Sequence, residues 1–163
     1  MGNFMKDGYS NFAFFQALPP QVLAVAAVEG ETIDTLGYQT AVIVVNVGTC
    51  TSAGAMSADN RYQLMLEHYN SEGVSAWSEC YPSQMLHSVV GEYGAYSTLN
   101  SGIFQSIASY TDQSAVYYVG YKGPQRFIRL RISQAGAPSV FSVGAVAILG
   151  LPANWPVNTP AGE

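Results

Sequence analysis

With 163 residues, a net charge of −5 and a pI near 4.8, the chain is long enough for one hydrophobic core. It is too acidic to bind nucleic acid by neutralising phosphates. Only 10% of its residues are charged against 48% hydrophobic, a balance expected of a subunit whose faces are shared in an assembly, or else of a Tyr/Ser-rich monomeric β-domain.

At the N-terminus, Asp7, Ser10, Asn11 and Gln16 interrupt any continuous apolar core of a secretory signal, and Lys6 stands where a myristoylation motif wants Ser or Thr. Four phenylalanines (Phe4, Phe12, Phe14 and Phe15) follow no helical or strand period before Pro19-Pro20. Residues 1–20 therefore read as an extended arm. Its phenylalanines either fold back on their own domain or pack on a neighbour, and deletion of 1–18 is expected to leave the domain folded.

Residues 21–28 read as a strand after the Pro-Pro pair. The acidic turn 29–37 leads into 38–47, YQTAVIVVNV, with Ala41, Ile43, Val45 and Val47 on one face. That strand is apolar on both faces in its middle, which predicts a central place in its sheet. A loop of small residues, 48–60, precedes 61–69, where Tyr62, Leu64 and Leu66 point inward and Gln63 and Glu67 outward. Asn70-Ser71-Glu72-Gly73 predicts a turn and 74–81 a returning strand. Through the loop-rich stretch 82–114, a strand is read over 102–110.

The stretch 116–132, VYYVGYKGPQRFIRLRI, places two β-rich runs around Lys122-Gly123-Pro124 and reads as an antiparallel hairpin. Ile128, Leu130 and Ile132 share one face, Arg129 and Arg131 the other. Lys122, Arg126, Arg129 and Arg131 are four of the chain's six basic residues, so this rim is either a solvated strand face or a contact for an acidic neighbour. A last strand, 139–149, carries Gly144 at a close approach or bulge. The tail from 152 onward is rich in proline. The apolar run 143–151 is far shorter than the roughly 20 residues a membrane helix needs, so a soluble protein made in the cytoplasm, without membrane contact, is expected.

Groups able to do chemistry are sparse. Cys50 and Cys80 form no CxxC, so no zinc site or disulfide framework is indicated and both read as reduced thiols. Glu67 and His68 are neighbours on a strand and must point to opposite faces. His87 lies within reach of Glu92 only if a loop brings them together. Glu29, Glu31 and Asp34 lack the order of a calcium loop. No nucleophile elbow or phosphate loop is present. Trp77, Tyr81, Tyr117, Tyr118 and Tyr121 would serve a sugar-stacking platform, or else a core or interface. The expectation is a protein that is not an enzyme, with no metal and no cofactor.

The order of motifs resembles a family of small tailed-phage virion proteins. Asp34, Gly37, Tyr38 and Thr40 match its entry to the first core strand. Gly120, Tyr121, Gly123, Arg126, Phe127, Ile128 and Arg129 match its V-G-Y-x-G-x-K-R-Y-[VI]-R segment, and Gly150 and Pro152 its ending. The resemblance departs in the middle, where LEHYNSEGVSAW replaces an acidic pattern, and at Asn154-Trp155.

Seven or so short strands joined by Gly/Asn/Pro turns predict an all-β, antiparallel, jelly-roll-like β-sandwich. It would comprise an arm (1–20), a sandwich (21–151) and a tail (152–163). The resemblance implies a virion component, and among these a decoration (cement) protein on the capsid surface. The partners would be the major capsid protein and sister copies in a dimer or trimer, with no direct nucleic-acid contact. Phe12, Phe14 and Phe15 are the expected anchors; Lys122, Arg126, Arg129 and Arg131 are the expected polar contacts. The alternatives are a tail or head-to-tail connector component, or a carbohydrate-binding sandwich.

Overall fold

A computed structural model describes residues 11–24, 27–50, 56–69, 76–86 and 102–153. Among them are eleven strands: β1 (Phe12–Leu23), β2 (Ala27–Glu29), β3 (Ile33–Asp34), β4 (Tyr38–Cys50), β5 (Arg61–Tyr69), β6 (Ser78–Glu79), β7 (Met85–Leu86), β8 (Ile103–Ile107), β9 (Ala115–Tyr121), β10 (Phe127–Ala135) and β11 (Phe141–Pro152). They form two antiparallel sheets packed face to face. Sheet A runs β1-β11-β4-β9-β7. In sheet B, β10 and β5 are central; β2 and β3 share the free side of β10, and β8 and β6 share that of β5.

The pairings are nested: β5 with β8, β4 with β9, β2 and β3 with β10, β1 with β11. A long antiparallel ribbon has thus been rolled up, which is the jelly-roll order and agrees with the predicted sandwich. Alternation decides what faces inward. Ile43, Val45 and Val47 on β4, Leu64 and Leu66 on β5, Ile128 and Leu130 on β10, and Ala147 and Leu149 on β11 are all fully buried between the sheets. Tyr62 and Phe141 meet edge to face across the gap, centroids 4.8 Å apart.

Two of the hydrogen-bonded ties between the sheets lie at opposite edges. On one edge, a bulge in β1 at Ala17 and Leu18 turns the Ala17 carbonyl toward the Glu31 N–H, at 2.8 Å. Gly30 is required there, because a Cβ would lie 2.3 Å from that carbonyl oxygen. On the other edge, Tyr121 of sheet A meets His68 of sheet B at 2.9 Å.

Three sequence expectations change. First, 116–132 is not a hairpin. β9 belongs to sheet A and β10 to sheet B, and residues 122–126 carry the chain from one to the other. Each run has its own inward face (Val119 and Tyr121; Ile128, Leu130 and Ile132), and these faces oppose each other across the core. The Tyr121 hydroxyl fixes the crossover by accepting from the Gln125 N–H at 2.9 Å, and Gly123 leaves room for the Tyr121 ring.

Second, the stretch read as an arm enters the sheet at Phe12. Ala13, Ala17 and Leu18 are core residues, so deleting 1–18 removes part of the core. Pro19-Pro20 are tolerated because β1 is an edge strand with bulges, where a missing N–H breaks no ladder. Residues 1–10 and 154–163 lie outside the described residues.

Third, two strands shrink or divide. Of 74–81, β6 is the strand among the described residues, 70–75 lying outside them, and the strand read over 21–28 is split between the end of β1 in sheet A and β2 in sheet B. β4 is central in sheet A and β5 spans 61–69, as predicted. β8 keeps the expected position, but a register shift between Leu64 and Met65 buries Phe104 along with Ile107. Gly144 is not at a close approach, since a Cβ there would lie 3.4 Å from Pro20, an ordinary contact; the β-bulge considered for it falls just before, between Phe141 and Val143.

Candidate docking face

None of the five strands of sheet A contains an Asp, Glu, Lys, Arg or His. The register places Phe14, Ile148, Val42, Gly120 and Leu86 in one outward row, and Gln16, Val146, Val44 and Tyr118 in the next. A third outward row holds Gly144, Asn46 and Val116. Phe14 is 56% exposed, Tyr118 60% and Val116 59%. A contiguous apolar surface of this breadth is uncommon on a solvated face, where single exposed apolar residues are the norm.

The face has relief. Phe14 and Val22 on one side and Val44 on the other wall a groove of about 750 Å³ whose floor includes Gly144 and Val146. Gly144, with no side chain, lowers the floor, and Pro20 packs over it at the groove's end.

The outer face of sheet B is built differently. Glu67, on β5, is buried, with a side chain only 4% exposed, and holds two guanidiniums: Arg129 Nε at 2.7 Å and Arg131 Nη1 at 2.9 Å. Arg129 also grips the Glu29 carboxylate from β2 and stacks over the Trp77 ring at 4.3 Å. Nearer the rim, Arg126 binds both oxygens of Asp34, at 2.8 and 2.6 Å. That hydrogen bond holds the Asp34 carboxyl below the usual carboxylate range. Arg126 lies over Phe127, which stacks on Tyr69, which in turn meets Trp77 edge to face.

The buried polar groups are quiet ones. His68 points inward, opposite Glu67 as expected. Burial lowers its pKa and so favours the neutral ring. Burial also pushes the Cys80 thiol up to about 12, with the Glu67 charge adding to the effect, and pushes Tyr121 up to about 12. Cys50 and Cys80 are free thiols. In this state the sulfur of Cys80 is a small apolar filler.

The expected site residues divide. Phe12 and Phe14 lie on the outer face of sheet A; Phe15 shares the inward row with Ala147 but, at the sheet edge, stays 36% exposed. Arg129 and Arg131 lie on sheet B and Arg126 at the end of the crossover leading into it, each engaged by a carboxylate of its own chain, and Lys122 is exposed on the crossover. Phenylalanines and arginines therefore do not share a surface. The acidic trio considered for calcium is divided too, since Glu29 and Asp34 each hold an arginine.

The aromatic platform is also dispersed. Tyr118 faces out from sheet A, while Tyr117 and Tyr121 face the core and Trp77 lies under Arg129. His87 and Glu92 fall outside the described residues. The sequence reading missed the uncharged outer face of sheet A. Its signal was there, as four long runs without a charge (12–23, 38–50, 115–121 and 141–152) that the topology gathers into one sheet. No family model matches the chain, and no curated protein sequence matches it.

Proposed function

We propose that the chain is a non-enzymatic structural protein of a phage virion, a decoration (cement) protein that binds and stabilises the major capsid protein lattice at the capsid surface. The observation that carries this reading is the outer face of sheet A, a broad apolar surface without a charge. Its physics is that of a surface awaiting another protein surface. A lattice-bound subunit works by covering area, and few charges with exposed Phe, Val and Tyr suit that task.

The jelly-roll order is compatible with the reading without selecting it, since viral capsid and lectin domains both use it. The dispersal of Trp77, Tyr117, Tyr118 and Tyr121 disfavours the lectin branch, which needs its rings in one groove. With Arg126, Arg129 and Arg131 all engaged by carboxylates of their own chain, the polar contact to an acidic capsid surface falls to Lys122, exposed on the crossover.

The test is electron cryomicroscopy of virions from the phage that encodes the chain, with gold-labelled antibody against it. Density and label over the head lattice are expected. Label confined to the tail or connector would move the protein there. Absence from purified particles would overturn the virion role.

A further inference from the structure

We infer that the outer face of sheet A is covered by the same face of a second copy, in a two-fold dimer that forms in the free protein. Four observations converge on a sister copy as the occupant.

Size is the first. The long strands β1, β11 and β4, about 4.8 Å apart over some nine residues at about 3.4 Å each, with the shorter β9 and β7 beside them, present roughly 600 Å², the lower end of the range that standard-size interfaces bury per partner. A stable interface of standard size buries about 800 Å² per partner.

Charge is the second. Two chains of net charge −5 repel. The charges of the described strands all lie in sheet B, however, so copies meeting through sheet A keep those carboxylates on the far sides of the pair. Each is then set back by about the 10 Å thickness of a sheet layer, comparable to the screening length in physiological salt.

Self-complementarity is the third. A two-fold contact must carry both a projection and its own receptacle. Tyr118 stands out on β9, and the groove over β11 lies two strands away, walled by Phe14 and Val44 with Val146 and Gly144 in its floor. A two-fold axis near β4 places Tyr118 of each copy in the groove of the other. At about 750 Å³ the groove is within the range that seats drug-sized molecules, so a phenol ring and its neighbours fit.

Packing geometry is the fourth. Twisted antiparallel sheets stack face to face at about −30°, the arrangement already used between sheets A and B. The dimer extends the same layering by two more sheets.

The dimer is a property of the free chain, and binding to a lattice through the same face exchanges the sister copy for the capsid protein; the dimer can therefore fail while the virion reading survives, or hold while that reading fails. The test is sedimentation equilibrium of the purified full chain from roughly 1 to 100 μM, the span in which a standard-size interface is read. A dimer is expected, and Tyr118→Asp should weaken it by roughly 30-fold or more, the loss typical of a central aromatic anchor. Val146→Lys should act in the same direction, and Gln63→Glu, on the outer face of sheet B, should leave it unchanged. Circular dichroism of each variant checks that the sandwich is intact. A monomer throughout the range, a trimer, a dimer indifferent to both sheet A variants, or one broken equally by Gln63→Glu would each overturn the inference.

Discussion

The two outer faces of this sandwich are made from strands of the same kind, with Val, Ile, Tyr and Phe in alternation, yet they meet solvent in opposite ways. On sheet B the outward positions hold Arg129, Arg131 and Glu67, whose charges satisfy one another so closely that Glu67 is buried on what is formally an outside surface. On sheet A the outward positions hold Phe14, Val44, Val146 and Tyr118, which among the described residues meet only other uncharged side chains of that sheet. One face is closed by its own chemistry and the other is left open. The difference shows that charge clustered in a sequence does not by itself mark a binding surface, because the fold can neutralise it. In this chain the charge-free strands mark the available one.

The sharpest way to break that comparison is to open the closed face. Glu67→Ala leaves Arg129 and Arg131 facing the cavity of a missing carboxylate. Removing one partner of a buried ion pair costs about 3–5 kcal/mol. Arg131 is 35% exposed and can turn to water, so the lower end is expected. Urea unfolding should show a lower midpoint with an unchanged slope. A cost under about 1 kcal/mol, the value of an exposed pair, would mean that the face was never closed.

The complementary experiment puts a charge on the open face. Val44→Glu sits on the central strand of sheet A, pointing outward. Measured on protein too dilute to associate, it should change stability by no more than about 1 kcal/mol, the span of strand propensity alone. A cost matching that of Glu67→Ala would show that this face is packed in the folded monomer.

Much of this contrast was legible in the sequence, and the parts that were not share one cause. Alternation in 38–47 and 61–69 named the inward and outward residues of β4 and β5 because period two is a local property. Alternation does not say which strand lies alongside. The runs flanking Gly123 therefore looked like a hairpin although they lie in different sheets, and the arginines looked like a free rim although Glu67, Asp34 and Glu29 reach them from 62, 92 and 100 residues away. Pro19-Pro20 looked like the end of an arm because proline argues against a central strand. It says nothing against an edge strand.

A smaller effect comes from beneath the closed face, where His68 links sheet B to Tyr121. Burial lowers its folded pKa below the ordinary 6.5. In acid the unfolded chain therefore takes up a proton that the folded chain refuses, and protonation favours unfolding. Stability should fall as pH drops through 6.5 toward the lower folded value. The profile of His68→Gln should be flatter across that window in thermal melts. Parallel profiles would mean that the ring titrates as freely folded as unfolded.

The smallest effect belongs to the Arg126–Asp34 pair, which has the better geometry of any ion pair on sheet B yet stands 40% and 43% exposed. If exposure decides what a charge contributes, good geometry should not rescue it. The folded pKa of Asp34 is depressed, so its contribution is present above the ordinary 3.8 and is lost as pH falls through the folded value. Asp34→Asn isolates the charge, because the amide oxygen can still accept the 2.9 Å bond from the Leu36 N–H that shapes the turn. The variant should unfold close to wild type at neutral pH in moderate salt. The small remaining gap should close both on adding salt and on acidifying below that range. A large gap that persists in salt would show that this pair belongs with Glu67 among the charges that hold the face shut.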